Sequence, residues 1–374
     1  MKKLLMTAWS FYPSQEGGPS NALYWLASGL SRCGFDVRVV TTDRCLPPNV
    51  VPINEWYVLN GFKVIYQSKD RGNALIYEEI KRCDILFTDG VCQLNNFIIV
   101  LKALHYNKKV VLSPRGELFE AAIDHKGRLY GFAKRCFIMV MRLFYGNKVV
   151  FHATSEEEKR AVIQYFGNKS QIACIPNYMI LPNRVEGRLH NNDKQWSYLL
   201  YVGRINPIKN LDILIQGVAN STHFINGNFS LILAGETGGT YYDSLIALCE
   251  KLNLNGRVRF VGLISGEDKS VLYANAYCSF LLSKSENFGN VVIESLRQGT
   301  PVITSKGTPW RVLKQKCAGE WIDVSVHEVS LAIDAILSMN KEDYLMMRDN
   351  AYELSCSFDI FSHLQDWKDL VQGL

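Results

Sequence analysis

SKSENFGNVVIESLRQGTPVI, residues 283–303, carries two carboxylates eight positions apart, Glu286 and Glu294, around an Asn287–Phe288–Gly289–Asn290 turn. The turn opens into an apolar run with helical spacing. Gly299, Thr300 and Pro301 break that run, and the β-branched residues Val302, Ile303 and Thr304 follow. Strand, acidic loop, helix, break and strand make one unit of a parallel sheet. The loop bearing Glu286 then falls at the carboxyl edge of the sheet, where open α/β folds bind ligands. Unpaired N–H groups at the helix start suit an anion such as a diphosphate. A glutamate on each side suits sugar hydroxyls. Gly289 supplies a positive φ that a branched or aromatic residue resists.

The same alternation runs outward in both directions. In the first half, short β-branched runs at 4–9, 37–41, 85–88, 110–113 and 149–153 alternate with helical patterns at 20–33 and 155–166. Ser155 followed by Glu158 has the form of a capping box, and Gly34 and Gly167 read as helix stops. The second half repeats the pattern, with strands at 198–203, 230–234, 257–261, 278–282 and 302–304 and helices at 242–252 and 269–274. Two doubly wound α/β domains result. The polar stretch 182–197 reads as a linker. Residues 358–370 place Phe361, Leu364, Trp367 and Leu370 on one helix face.

Residues 283–303 closely resemble the Glu-x7-Glu motif of family 4 of the retaining glycosyltransferases, the group 1 glycosyltransferases. The segment from Tyr201 to Asn210, YVGRINPIKN, resembles the family's diphosphate-gripping strand and loop, and Ile175-Pro176-Asn177 its strand-end Pro-Asn. Gly17-Gly18 resembles its N-terminal glycine loop. Ser113-Pro114-Arg115-Gly116 and Ala153-Thr154-Ser155 resemble two further signatures of its first domain. One Glu-x7-Glu is a weak signal, but these matches occur in order over nearly the whole chain.

The resemblance implies the GT-B fold: two doubly wound Rossmann-like domains facing each other across a cleft. The implied boundaries are an acceptor domain at 1–181, a linker at 182–197, a nucleotide-sugar domain at 198–357 and a terminal helix at 358–374 crossing back to the first domain. Arg204, Lys209 and Glu286 are implied as catalytic. The cations steady the departing diphosphate, and Glu286 positions the transferred sugar without acting as a nucleophile. Glu294 is implied to accept ribose hydroxyls. Asn287, Phe288, Gly289 and Asn290 present backbone amides, Gly17 and Gly18 approach the donor phosphates, and Gly235, Glu236, Leu263 and Ile264 lie near the nucleotide. Retention is expected by same-face attack, with the departing phosphate oxygen taking the acceptor proton. Where the family often has His-Gly, this chain has Arg115-Gly116, which makes Arg115 the substrate-binding candidate at that place, for the sugar's outer hydroxyls or the acceptor.

Each of these residues also has a plainer reading. Arg204 and Lys209 fit two solvated loop cations. Glu294 fits an exposed or dipole-favoured position near a helix start, and Arg115 fits an ion pair with Glu117. Gly238-Gly239 adds glycine near Gly235 without a dinucleotide fingerprint.

With 374 residues and 48% apolar content, the chain supports two cores. Met1–Met6 reads as a first buried strand and not as a signal peptide, because Pro13 and Glu16 fall where a cleavage region belongs. No apolar run reaches the ~18 residues of a membrane span. Ten scattered cysteines without Cys-x-x-Cys suit core thiols and a reducing cytoplasm. Neither a paired metal-ligand spacing nor Asp-x-Asp is present, so no metal or other cofactor is expected.

Charge is uneven. Residues 1–185 hold 24 Lys+Arg against 15 Asp+Glu, and the rest 17 against 21. Residues 126–148 hold six cations and no acid among aromatic and aliphatic residues. That pattern suits an anionic membrane surface, or a basic helix whose apolar face is domain core. No nucleic-acid motif accompanies it. The expected partners are a nucleotide-sugar donor, UDP- or GDP-linked, and a glycan or lipid-linked oligosaccharide acceptor in bacterial surface polysaccharide assembly. A nucleotide-sugar epimerase and a non-catalytic nucleotide- or glycan-binding protein are the alternatives.

Overall fold

The structure is a computed structural model that describes residues 1–14, 18–68, 71–185 and 198–374. The chain divides into two units, Met1–Ile180 with Asp359–Leu374, and Leu181–Phe358.

The first unit holds eight strands: β1 Lys3–Thr7, β2 Asp36–Thr42, β3 Tyr57–Leu59, β4 Phe62–Gln67, β5 Ile85–Asp89, β6 Lys109–Ser113, β7 Val149–Ala153 and β8 Gln171–Cys174. Their order is β3-β4-β2-β1-β5-β6-β7-β8, parallel except for the β3–β4 pair. Inner strands such as β7, VVFHA, are buried along their whole length, as a sheet covered on both faces requires. β3, β4 and β8 extend the alternation read from sequence, which missed all three. β3 is short and half-exposed, so it lacks the continuous apolar run that marks an inner strand.

The second unit holds β9 Tyr198–Val202, β10 Ser230–Ala234, β11 Val258–Gly262, β12 Cys278–Leu281, β13 Val302–Ser305 and β14 Gly319–Ile322. Their order is β11-β10-β9-β12-β13-β14, all parallel. Leu199, Tyr201, Leu231, Leu233, Phe280 and Ile303 form the sheet side of its core.

Both sheets are doubly wound, and each reverses its winding direction once. The reversal lies between β1 and β5 in the first unit and between β9 and β12 in the second. Those two gaps, at the carboxyl ends of the strands, are where such folds admit ligands.

Two readings of the first unit need correction. Ser155 caps the helix Glu156–Phe166 by accepting from Glu158 N, but Glu158 does not close the box. Its carboxylate instead accepts from Thr154 N, Thr154 Oγ1 and Gly116 N. The reciprocal bond is lost because a buried carboxylate takes the donors that surround it.

The terminal segment breaks at His363 into a short turn, Ile360–Ser362, and a helix, Leu364–Gly373. Trp367 packs on His152 with ring centroids 4.7 Å apart, and Lys2 Nζ donates to Val371 O at 2.9 Å. Of the stretch expected as a linker, 186–197 lie outside the described residues. Residues 182–185 are bonded into the second unit, with Arg297 Nε donating to Pro182 O and Gln298 receiving Val185 N.

Candidate functional site

The loops after β9 and β12 flank the winding reversal of the second sheet, and they are tied to each other. Lys284 N donates to Ile208 O at 2.8 Å, and Asn210 Nδ2 to Leu282 O at 2.7 Å. Asn210 adopts a left-handed conformation, φ 53°, which asparagine tolerates better than most residues. Asn206 caps the short turn Pro207–Lys209, and Tyr201 OH holds the carbonyl of Arg204 at 2.7 Å. The neighbouring β10 loop approaches so closely that a Cβ on Gly235 would lie 2.0 Å from Gly203 O. Only glycine fits there.

This scaffold brings Lys209 Nζ to 2.5 Å from Glu286 Oε2 and 3.3 Å from Ser283 Oγ, while Ser283 Oγ donates to the same carboxylate oxygen at 3.0 Å. Lys209 is therefore not the solvated loop cation of the plainer reading. Arg204, on the same loop, is exposed and makes no ion pair among the described residues, as its plainer reading has it. The loop of Glu286 is clamped from behind. Glu286 N donates to Gly307 O at 2.9 Å and Ser305 Oγ to Ser283 O at 2.5 Å.

Gly289, at φ +86°, begins the helix Asn290–Arg297, and no side chain caps that start. Phe288 is buried against Trp310 and Phe358, and its carbonyl accepts from Trp310 Nε1. Its side chain is thus an anchor for the turn and not a ligand contact. Asn287 and Asn290 are half-buried at the turn.

Glu294 is only 8% exposed, which removes the reading of a solvated helix position. Lys269 Nζ donates to its Oε1 at 2.8 Å, while Oε2 is closed from solvent and has no hydrogen-bond partner among the described residues. Near this pair, Gly235 N donates to Gly262 O, Glu236 and Leu263 are exposed and Ile264 is half-buried. Lys269 and Ser283 are site residues that sequence reading missed. A lysine in a Glu-Asp-Lys-Ser run carries no signal until two helices pack together. Ser283 stood inside the opening segment, but nothing in its spacing marked it.

Gly17 lies outside the described residues, and Gly18 opens the helix Gly18–Arg32. Arg115 is half-buried at φ +51°, with Nε 2.9 Å from Asp89 Oδ1 and Nη1 2.6 Å from Asn177 Oδ1. The expected pairing with Glu117 is wrong. Glu117 accepts from Val91 N and Cys92 N, because it reaches back to two amides that leave the strand ladder after β5. Burial pushes the Asp89 and Glu158 carboxyls upward, opposed by Arg115 at both and by hydrogen bonds. His152 beneath them is held to about 3 by burial. Its Nε2 faces the Ile175 carbonyl and must donate, so Nδ1 accepts from Ser113.

At the first sheet's own reversal, Trp9 and Tyr12 follow β1 and are 48% and 41% exposed. Tyr12 stacks on Tyr24 with centroids 4.4 Å apart, Arg44 lies 5.4 Å over the Trp9 ring, and Thr42 Oγ1 donates to Trp9 O. These two aromatic residues had no place in the sequence reading.

The basic segment forms the helix Arg128–Tyr145. It turns Ile138, Met141 and Tyr145 into the core and leaves a second apolar stripe outward: Leu129, Phe132, Met139, Leu143 and Phe144. Leu129 and Leu143 are 88% and 79% exposed. Its cations are not equivalent. Arg135 pairs with Asp124, Lys134 Nζ donates to Ala122 O, and Arg128 and Arg142 stay exposed. Among the described residues no helix is long and apolar enough to cross a membrane, and no three His, Cys, Asp or Glu side chains gather as a ligand group.

Residues 186–354 match the family model of the group 1 glycosyl transferases. An uncharacterised glycosyltransferase of Methanocaldococcus jannaschii is 23% identical over 90% of this chain and 89% of its own. The fold is similar to that of Anabaena HepE solved with UDP and glucose, with TM-score 0.76, 17% identity and full coverage of both chains. It is also similar to WaaG, a glycosyltransferase involved in lipopolysaccharide biosynthesis, with TM-score 0.72, 17% identity and coverage of 99% and 100%. Residues 186–354 are thus similar to the group 1 glycosyl transferases, and the whole chain has the GT-B fold of two Rossmann-like units.

Proposed function

We propose that this glycosyltransferase moves a sugar from a nucleoside diphosphate sugar to a hydroxyl of a glycan acceptor, retaining the anomeric configuration and needing no metal. The observation that carries the reading is the convergence of Lys209, Ser283 and Glu286 at the winding reversal of the second sheet, on a loop that also carries Arg204. Breaking the bond from the anomeric carbon to phosphate builds negative charge on the diphosphate. Arg204 and Lys209 are the fixed cations that meet it. Glu286 has its Oε2 engaged by both Lys209 and Ser283, which suits a carboxylate that orients sugar hydroxyls and disfavours it as a nucleophile. The acceptor oxygen attacks from the face the leaving group departs, and its proton passes to the departing phosphate oxygen.

The base lies along Gly262–Ser265, with Leu263 beside it, and the ribose on Glu294. A UDP-linked donor is favoured because HepE, of similar fold, is solved with UDP. The acceptor binds the first unit. The flat faces of Trp9 and Tyr12 suit the C–H face of a pyranose ring.

The outward stripe of the helix Arg128–Tyr145, with Arg128 and Arg142 beside it, suits the cytoplasmic face of an anionic membrane. A lipid-linked acceptor in bacterial surface polysaccharide assembly fits that location. The test is a thermal-shift panel of UDP-, GDP-, ADP- and CDP-sugars, followed by NMR of the product formed with the best donor. An inverted anomeric product, or no stabilisation by any of the four classes, overturns the proposal.

A further inference from the structure

We infer that Lys269 is a positioning residue that holds and aims the Glu294 carboxylate, and so makes this site selective for a ribonucleotide over its deoxy forms. The inference rests on the donor placement proposed above and concerns a residue outside the motif that suggested it.

Lys269 comes from the helix Gly266–Ala274 and Glu294 from the helix Asn290–Arg297, and Nζ lies 2.8 Å from Oε1. The side chains are 25% and 11% exposed. An ammonium at this distance fixes the rotamer of the carboxylate it pairs with and so the direction in which its second oxygen can turn. Hydrogen bonds to a carboxylate are about twice as strong as those between neutral groups. A pair serving packing alone has its oxygens satisfied, yet Glu294 Oε2 is buried without a donor among the described residues. Such an atom costs free energy until something supplies one.

The vicinal hydroxyls of a ribose bring two donors. The lysine, with three N–H donors on a flexible stem, keeps one bond to the carboxylate as Oε2 turns to the ligand. Lys269 acts through Glu294 and need not touch the nucleotide.

The test is calorimetric titration of the full chain with UDP, GDP, ADP and CDP, then with the 2′,3′-dideoxy form of whichever binds. Wild type is compared with Lys269→Met, Lys269→Gln and Lys269→Arg. Losing the held carboxylate should weaken ribonucleotide binding about tenfold or more in the Met and Gln variants, the worth of one charge-assisted hydrogen bond. The dideoxy form should bind wild type weakly and change by less than about twofold on either substitution, since it has no hydroxyl for Glu294 to read. Lys269→Arg should recover most of the affinity. Equal losses for ribo and dideoxy ligands, or unchanged or tighter ribonucleotide binding, overturn the role of Lys269 and leave the donor reading standing. If wild type binds none of UDP, GDP, ADP and CDP, the donor reading falls and this inference with it.

Discussion

Replacing Gly307 by alanine tests whether the placement of Glu286 depends on the turn behind it. A Cβ at Gly307 would lie 2.4 Å from Lys284 O, 2.7 Å from Ser283 O and 2.8 Å from Lys284 C. All three are backbone atoms of the loop that carries Glu286, so no side-chain rotation relieves the clash. The loop and the turn must separate, which strains the bond from Glu286 N to Gly307 O. Overpacking of this kind costs about 1–3 kcal/mol and the lost hydrogen bond about 1. The sum, about 2–4 kcal/mol, lowers the melting temperature of a unit of this size by roughly 4–16 °C. A displacement of Glu286 of about 1 Å should also reduce turnover on the order of a hundredfold. Nucleotide affinity should hold within about threefold, because Glu294 and Lys269 lie on other elements. Scanning calorimetry, donor-hydrolysis kinetics and nucleotide titration read the three quantities. A variant that melts with wild type and turns over normally would refute the idea that this turn positions Glu286.

Glu294→Ala should raise the Michaelis constant for donor, whereas Glu286→Ala should mainly lower turnover, since only the second contact changes during transfer; identical profiles in steady-state kinetics would count against both roles. Activity should survive EDTA and fall with Arg204→Ala, the charge being supplied by side chains; loss with EDTA and recovery with manganese or magnesium would show otherwise. Vesicles containing anionic lipid should co-sediment the protein in a salt-sensitive way, with about 1 kcal/mol from each exposed cation. Binding there should drop on Arg128→Glu with Arg142→Glu, and separately on Leu129→Ser with Leu143→Ser; no response to either pair would leave the stripe without this partner. His152 is neutral when folded, to about 3 against an ordinary 6.5. Its unfolded form takes a proton first as pH falls. The stability it contributes is full above 6.5 and is lost on descending toward 3, by up to about 1.4 kcal/mol per pH unit. Melting of the first unit should therefore fall less between pH 7 and 5 in His152→Asn than in wild type, and parallel curves would reject the assignment.

The alternation of buried β-branched runs with helical patterns was legible because both periodicities are local, and it was enough for two doubly wound units. The sequence also singled out Glu286 and Glu294, since spacing around a strand end places a residue at the ligand edge of a parallel sheet, and resemblance to the family's loop added Arg204 and Lys209. The order of strands was not legible, and with it the positions where winding reverses, because neighbours in a sheet are chosen by packing between distant segments. The same physics hid the partners. Lys269 meets Glu294, Gly307 holds Glu286, and Arg115 turns to Asp89 and away from the nearer Glu117, each across elements remote in sequence. It also hid which side of the basic helix faces out, since one helical pattern carried two apolar stripes and only the packed sheet decided which to bury. Local chemistry chose the residue types, and tertiary packing chose their charges' partners.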